Sequence, residues 1–271
     1  MIVNRGAGAI RMPVLFVGHG SPLNAIEDNR WSRGFARLRG LVPRPQAILA
    51  VSAHWYVDGT RVTADGRPKT IHDFGGFAEA LYQVDYPAPG DVDLARRVAV
   101  LLGGRCAGLS TDRGLDHGVW SVLRWMFPEA RVPVVQLSID RRLDAAEHYE
   151  IGRALAGLRD EGVLVLGSGN VVHNLGDAFR RMRDGSVETP DWAAAFDGTV
   201  KRMLREGDTA GLISLWPGTE DGRRAHPTPD HWLPLIYACA AAGERGSVDF
   251  PIEGFDWGSL SMRSILFGDG A

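Results

Sequence analysis

Short apolar runs alternate with longer mixed ones along this chain. Residues 13–17 (PVLFV), 47–52 (AILAVS), 132–138 (VPVVQLS) and 163–166 (VLVL) are continuous apolar runs rich in β-branched residues. That is the pattern of strands buried on both faces. Residues 29–39, 91–102 and 144–160 mix polar and apolar positions and read as helices, as do 193–204 and 232–242. In 91–102, Asp91 stands where an N-cap belongs, and Leu94, Val98, Leu101 and Leu102 recur at helical spacing. The tail, 248–267, holds two expected strands around Gly254–Gly258. The alternation predicts an α/β fold: one domain over residues 1–271, with a mostly parallel central sheet flanked by helices. Such sheets bind ligands beyond the carboxyl ends of their strands. The loops after strands are therefore where chemistry is expected.

Those loops carry GHGSP (18–22), SAHW (52–55) and GSGNVVHN (167–174), so His19, His54 and His173 each follow an expected strand. His72 in IHDFGGF, His117 in LDHGVW and His231 in PTPDHW are further candidates, and His148 and His226 complete the eight. A single histidine after a strand is ordinary. Three at corresponding strand ends can converge on one crevice, and imidazole is the commonest ligand for zinc or iron. Gly18 and Gly20 flank His19 and are expected to clear the way for a substrate. No HExxH is present, so a metal site must be assembled from distant segments. Ser21 lies near His19, but GxSxG is absent, as are GxGxxG and a Walker lysine. GSGN (167–170) reads as a tight turn ahead of a phosphate nest. Asp73 is expected to cap a helix starting near Phe77 or, with His72, to face a ligand. Trp55, Trp120 and Trp232 read as core first, though they neighbour candidate histidines, and an aromatic wall beside a metal would suit an aromatic substrate.

Composition narrows the function classes. Apolar residues make up 45% and charged residues 23%, which fits a globular protein with a full core. Net charge is −3 without a basic block, which argues against nucleic acid or an anionic membrane as partner. The clusters at 180–183 and 223–224 are short enough to be solvated surface. Cys106 and Cys239 lie far apart and fit a reducing compartment. Arg5 and Arg11 interrupt the N-terminal stretch, so no signal core is expected, and the longest apolar stretch, 233–243, is too short to span a bilayer. The cytoplasm is the expected compartment.

Taken together, MPVLFVGHGSPLNAIEDN (12–29), RPQAILAVSAHW (44–55), TIHDFGGF (70–77), YPAPG (86–90), DHGVWSVL (116–123), PVVQLSID (133–140), GSGNVVHNL (167–175), HPTPDHWLPL (226–235) and EGFDWGSLSMRS (253–264) carry a resemblance. The chain resembles the class III extradiol ring-opening dioxygenases, in their 4,5-DOPA dioxygenase-like branch, in order from about residue 12 to 267. The resemblance implies an oxidoreductase that opens a DOPA-like or related catechol beside its two hydroxyls. It implies O₂ as co-substrate and one divalent metal, Fe(II) or zinc. By motif, His19, His54 and His231 correspond to metal ligands. His173 corresponds to the acid/base of the wider class and is counted with the metal in this branch. His117 corresponds to a residue beside the substrate oxygen. The wider class uses two histidines and a carboxylate, whereas here His231 stands at the third position with Asp230 adjacent. An all-histidine set is neutral and resembles a zinc site. A zinc hydrolase and a non-catalytic metal-binding protein of the same fold are the alternative readings. A carboxylate-bearing catechol would need an arginine or lysine near the mouth, and the thirty basic residues offer no unique choice.

Overall fold

Leu15 and Val17 face one side of strand β1 (Val14–Gly18), Val14 and Phe16 face the other, and both sides are fully buried. The computed structural model describes residues 11–186, 188–243 and 246–268. The N-terminal ten residues, on which the expectation of no signal core mostly rests, lie outside the described residues.

The same double-sided burial recurs in β2 (Ala47–Val57), β5 (Val134–Asp140) and β6 (Val163–Gly169). The remaining strands are β3 (Thr60–Thr63), β4 (Cys106–Ser110), β7 (Val248–Ile252), β8 (Phe255–Asp256), β9 (Leu260–Ser261) and β10 (Ser264–Phe267). Eight strands form one sheet in the order β4-β3-β5-β2-β6-β1-β10-β7, and β8 pairs with β9 as a separate hairpin. The central run β5-β2-β6-β1 is parallel. The edges are not, because β3 pairs antiparallel with β5, β10 with β1, and β7 with β10. Parallel strands must be covered on both faces. Helices Arg30–Leu38 and His117–Met126 cover the face of Leu15, Ile48 and Leu164. Helices Val92–Leu102, Ala145–Ala154, Asp191–Glu206 and Leu233–Ala242 cover the opposite face.

The expected N-cap at Asp91 is present, accepting from Leu94 N–H at 2.9 Å. Residues 144–160, expected as one helix, tighten after Ala154 into a 3-10 turn, Ala156–Glu161. This turns the buried Arg159 inward to donate to Met12 and Ala242 carbonyls. The expected strand 47–52 continues to Val57 because β2 bulges. Val51 and Tyr56 pair with Leu137 and Ile139, so five steps on β2 match two on β5. The bulge re-aims residues 52–55, His54 among them.

Two histidines sit in the core away from strand ends. His148 Nδ1 lies 2.9 Å from Tyr237 Oη, and His226 Nε2 lies 2.8 Å from Val171 O. Burial pushes each down to about 4. The unfolded chain therefore takes up protons first as pH falls, and stability is lost between about pH 6.5 and 4. Each ring accounts for up to ~3 kcal/mol of that loss. Urea midpoints should fall between pH 7 and pH 5, and less steeply in His226→Gln. An equally steep fall in that variant would remove His226 from the explanation.

Candidate metal centre

Strands β2, β6 and β1 are sheet neighbours, so their carboxyl ends lie side by side. His19 follows β1 directly, His54 sits in the β2 bulge, and Ser168 belongs to β6. His117 opens helix His117–Met126, and His231 closes the 3-10 turn Pro229–His231. These segments bring the rings of His19, His54, His117, His173 and His231 together, with His19 and His54 Nε2 atoms 3.0 Å apart.

Their hydrogen bonds fix which nitrogen is free. Ser168 donates its one hydroxyl proton to Gly118 O at 2.5 Å, so it accepts from His19 Nδ1–H at 2.9 Å. His19 therefore presents a bare Nε2. His231 Nδ1 lies 2.5 Å from Asp230 Oδ2, and its Nε2 is buried with no hydrogen-bond partner. His117 is held twice by Asp73 Oδ1, through its backbone N–H and through Nδ1, both at 3.0 Å. Asp73 Oδ2 stands 3.6 Å from His54 Nδ1. Buried polar groups ordinarily find partners. Two Nε2 atoms 3.0 Å apart fit a cation, since nitrogens ~2.0–2.1 Å from one ion stand roughly 3 Å apart, and the partnerless Nε2 of His231 belongs to a ring centred 5.3 and 5.0 Å from those of His19 and His54.

Electrostatics point the same way. Burial, reinforced by the neighbouring histidines, holds His19 and His54 well below the ordinary imidazole range. His173 is lowered too, by burial first and then by His231 and His226. Burial raises Asp73 and Asp230, but the hydrogen bonds from His117 and His231 outweigh it and leave both lowered. Burial thus favours neutral rings at His19, His54 and His173, while the Asp73 and Asp230 carboxylates hold His117 and His231, an arrangement that orients ligands and raises their basicity. The carboxylate expected at the third ligand position lies behind His231 instead.

The ligand atoms of His19, His54 and His117 lie within 4.8 Å of one another, so His117 joins the candidates for the metal. His173 stacks face to face on His231, with centroids 3.4 Å apart and planes at 5°. His72 does not join them, because its Nε2 bonds Val84 O at 3.0 Å.

Several sequence expectations need correction. Asp73 caps helix His117–Met126 across 44 residues rather than a helix near Phe77. Gly18 and Gly20 make room for the chain at Met262, and only Gly20 also lines the cavity. A Cβ at Gly18 would lie 2.8 Å from Met262 C, and one at Gly20, where φ is +63°, would lie 2.4 Å from Met262 Sδ. GSGN is neither the expected tight turn nor a phosphate nest, because Gly167–Gly169 continue strand β6 and Cβ atoms at Gly167 and Gly169 would meet Pro234 O and His231 O at 2.4 and 2.3 Å. Those glycines let the segment carrying His231 press against β6. Trp55, Trp120 and Trp232 are core residues, in line with their first reading. The aromatic wall is Phe74, Phe77, Phe179 and Trp257, lining a cavity of about 530 Å³ that opens onto the five histidines.

A buried polar network behind His54 has no local signature in the sequence. Asp116 accepts from Ser52 Oγ and Gln136 Nε2, both at 2.7 Å, and from Arg113 Nη2 at 3.3 Å. Ser52 Oγ accepts from His54 N–H at 3.3 Å, and Arg113 Nη2 donates to His54 O at 3.0 Å. Asp116→Ala leaves these donors facing one another without their acceptor and should destabilise the chain by about 3 kcal/mol. Thermal unfolding measures this, and a loss below ~1 kcal/mol would count against the network.

Comparisons with known proteins agree on one family. A family model described as the catalytic LigB subunit of aromatic ring-opening dioxygenase matches residues 18–263. The chain is similar to the 4,5-DOPA dioxygenase extradiol of Escherichia coli (strain K12), at 47% identity over 95% of both chains. It is also similar to the 4,5-DOPA dioxygenase extradiol of Beta vulgaris, at 40% identity over 93% of this chain and 95% of that one. A crystal structure of an uncharacterized protein from Escherichia coli K12 superposes with a TM-score of 0.80 at 41% identity, covering 95% of this chain and all of that one.

Proposed function

The chain belongs to the family of the catalytic LigB subunit of aromatic ring-opening dioxygenases, and we propose that His19, His54 and His231 hold its metal while His173 and His117 serve the substrate. The observation that carries this reading is the 3.0 Å approach of the His19 and His54 Nε2 atoms beside the ring of His231, 5.3 and 5.0 Å away between centroids, whose buried Nε2 has no hydrogen-bond partner. Family membership makes the chain a metal-dependent extradiol dioxygenase. Fe(II) is the proposed working metal, with zinc as a resident alternative suited to the neutral donor set. The proposed substrate is a catechol, as the names of the relatives indicate for those proteins.

A bound divalent ion lowers the pKa of the catechol hydroxyls and supplies the centre at which O₂ is used. The chain supplies position and protons. His173 lines the cavity and enters the reaction neutral, so it can take a substrate hydroxyl proton and return it as the ring opens. His117, its Nδ1 held by Asp73, presents Nε2 as an acceptor for a substrate hydroxyl. Phe74, 5.4 Å from the His117 ring, walls the reacting end from water. The test is anaerobic reconstitution with Fe(II), followed by oxygen uptake with a panel of catechols that includes DOPA. Uptake with a yellow ring-opened product is expected, and no uptake with any catechol would refute the reading.

A further inference from the structure

Three of the large exposed apolar side chains in the described residues lie on one helix, Leu175–Arg183. Leu175, Phe179 and Met182 are 38%, 56% and 50% exposed. Their spacing puts them on one helical face, and all three line the cavity that opens onto the histidines. Phe74, Phe77 and Trp257 complete the apolar wall. Trp257 adopts φ +47°, a backbone that L side chains rarely take, at the tip of the β8–β9 hairpin, and its ring stands 6.3 Å from that of Phe179. Large apolar groups held at a cavity mouth, one of them on a strained backbone, have a ligand to contact.

Charge is absent from the same wall. No arginine or lysine is among the described residues that line the cavity, and Asp73 is its carboxylate. The helix does carry arginines, but none lines the cavity and each is in use. Arg180 and Arg181 pair with Asp177, Arg181 also reaches Ser186, and Arg183 pairs with Asp184. A substrate carboxylate in this mouth would lose water without gaining a cation. At about 530 Å³ the cavity is within the range of sites that enclose ligands larger than one bare ring.

Resting on the ring-opening reading of the site, we infer that the substrate is a catechol whose ring substituent is uncharged and apolar, an alkyl or aryl group seated against Leu175, Phe179, Met182 and Trp257. Amino-acid and acid side chains on the catechol are disfavoured, which separates this chain's preference from the substrate in its relatives' names.

The test compares 4-butylcatechol, 3-(3,4-dihydroxyphenyl)propionate and L-DOPA on the Fe(II)-loaded chain. The kcat/KM for butylcatechol should exceed that for the propionate by on the order of 10-fold or more, chiefly through KM. A propionate or DOPA value equal to or above it would overturn the inference and leave ring opening intact. Calorimetric binding to the zinc-loaded chain reads the same preference without turnover. Tighter binding of butylcatechol by on the order of 10-fold supports the inference even if no compound is opened, an outcome that would sink the ring-opening reading alone. Equal binding, or none, overturns it. Phe179→Arg and Met182→Arg change exposed side chains and should raise the propionate-to-butyl ratio of kcat/KM by on the order of 10-fold. An unchanged ratio in both would place the substituent elsewhere.

Discussion

His19→Ala should leave the protein folded, strip its metal and stop ring opening. His19 is held by a chain of two hydrogen bonds, from its Nδ1–H to Ser168 and from Ser168 to Gly118 O, so its Nε2 lone pair is presented in one orientation. Alanine removes one nitrogen of the proposed ligand set, and the Nδ1 atoms of His117 and His231, already committed to Asp73 and Asp230, are not free to replace it. Losing an outer partner such as Ser168 should weaken metal binding about 10–100-fold. Losing the ligand itself should exceed that, leaving metal content after dialysis below roughly a tenth of an equivalent and no measurable oxygen uptake. His54→Ala should behave alike. Full metal content in either variant, read by elemental analysis, would overturn the assignment.

His173→Ala should do something different. Its ring lies flat against His231 at 3.4 Å and lines the cavity, and on the proposed reading it meets a substrate hydroxyl while other rings hold the ion. The variant should keep its metal and lose about 10²–10⁴-fold in turnover, the ordinary contribution of a positioned acid/base. Loss of metal parallel to loss of turnover would make His173 a fourth ligand.

The parts of this account that were legible in the sequence are the local ones. The apolar runs at 13–17 and 163–166 are buried strands because parallel strands are covered on both faces, and Asp91 caps its helix with its own side chain. The meeting of the His19 and His54 rings was readable from their places at strand ends, whereas the part given to His231 came only through the resemblance, since no spacing links its segment to theirs. What stayed hidden is long-range packing. Strands β3 and β4 are short and only partly apolar, and helix His117–Met126 lies in a stretch to which the pattern assigns no element. Asp73 caps that helix from 44 residues away, and Gly18 gives way to the backbone of Met262, a contact no local pattern announces. The apolar stripe Leu175, Phe179, Met182 was visible at helical spacing, but the arginines interleaved at 180, 181 and 183 made the segment read as solvated surface. No described helix is long and apolar enough to cross a membrane, and Cys106 and Cys239 are free.

The most direct measurement is an anomalous scattering map from crystals of the zinc-loaded chain. One peak is expected, bonded at ~2.0–2.1 Å to the Nε2 atoms of His19, His54 and His231, with His117 turned toward the open side. A peak bonded to His117 in place of His231, or no peak among these rings, would contradict the account.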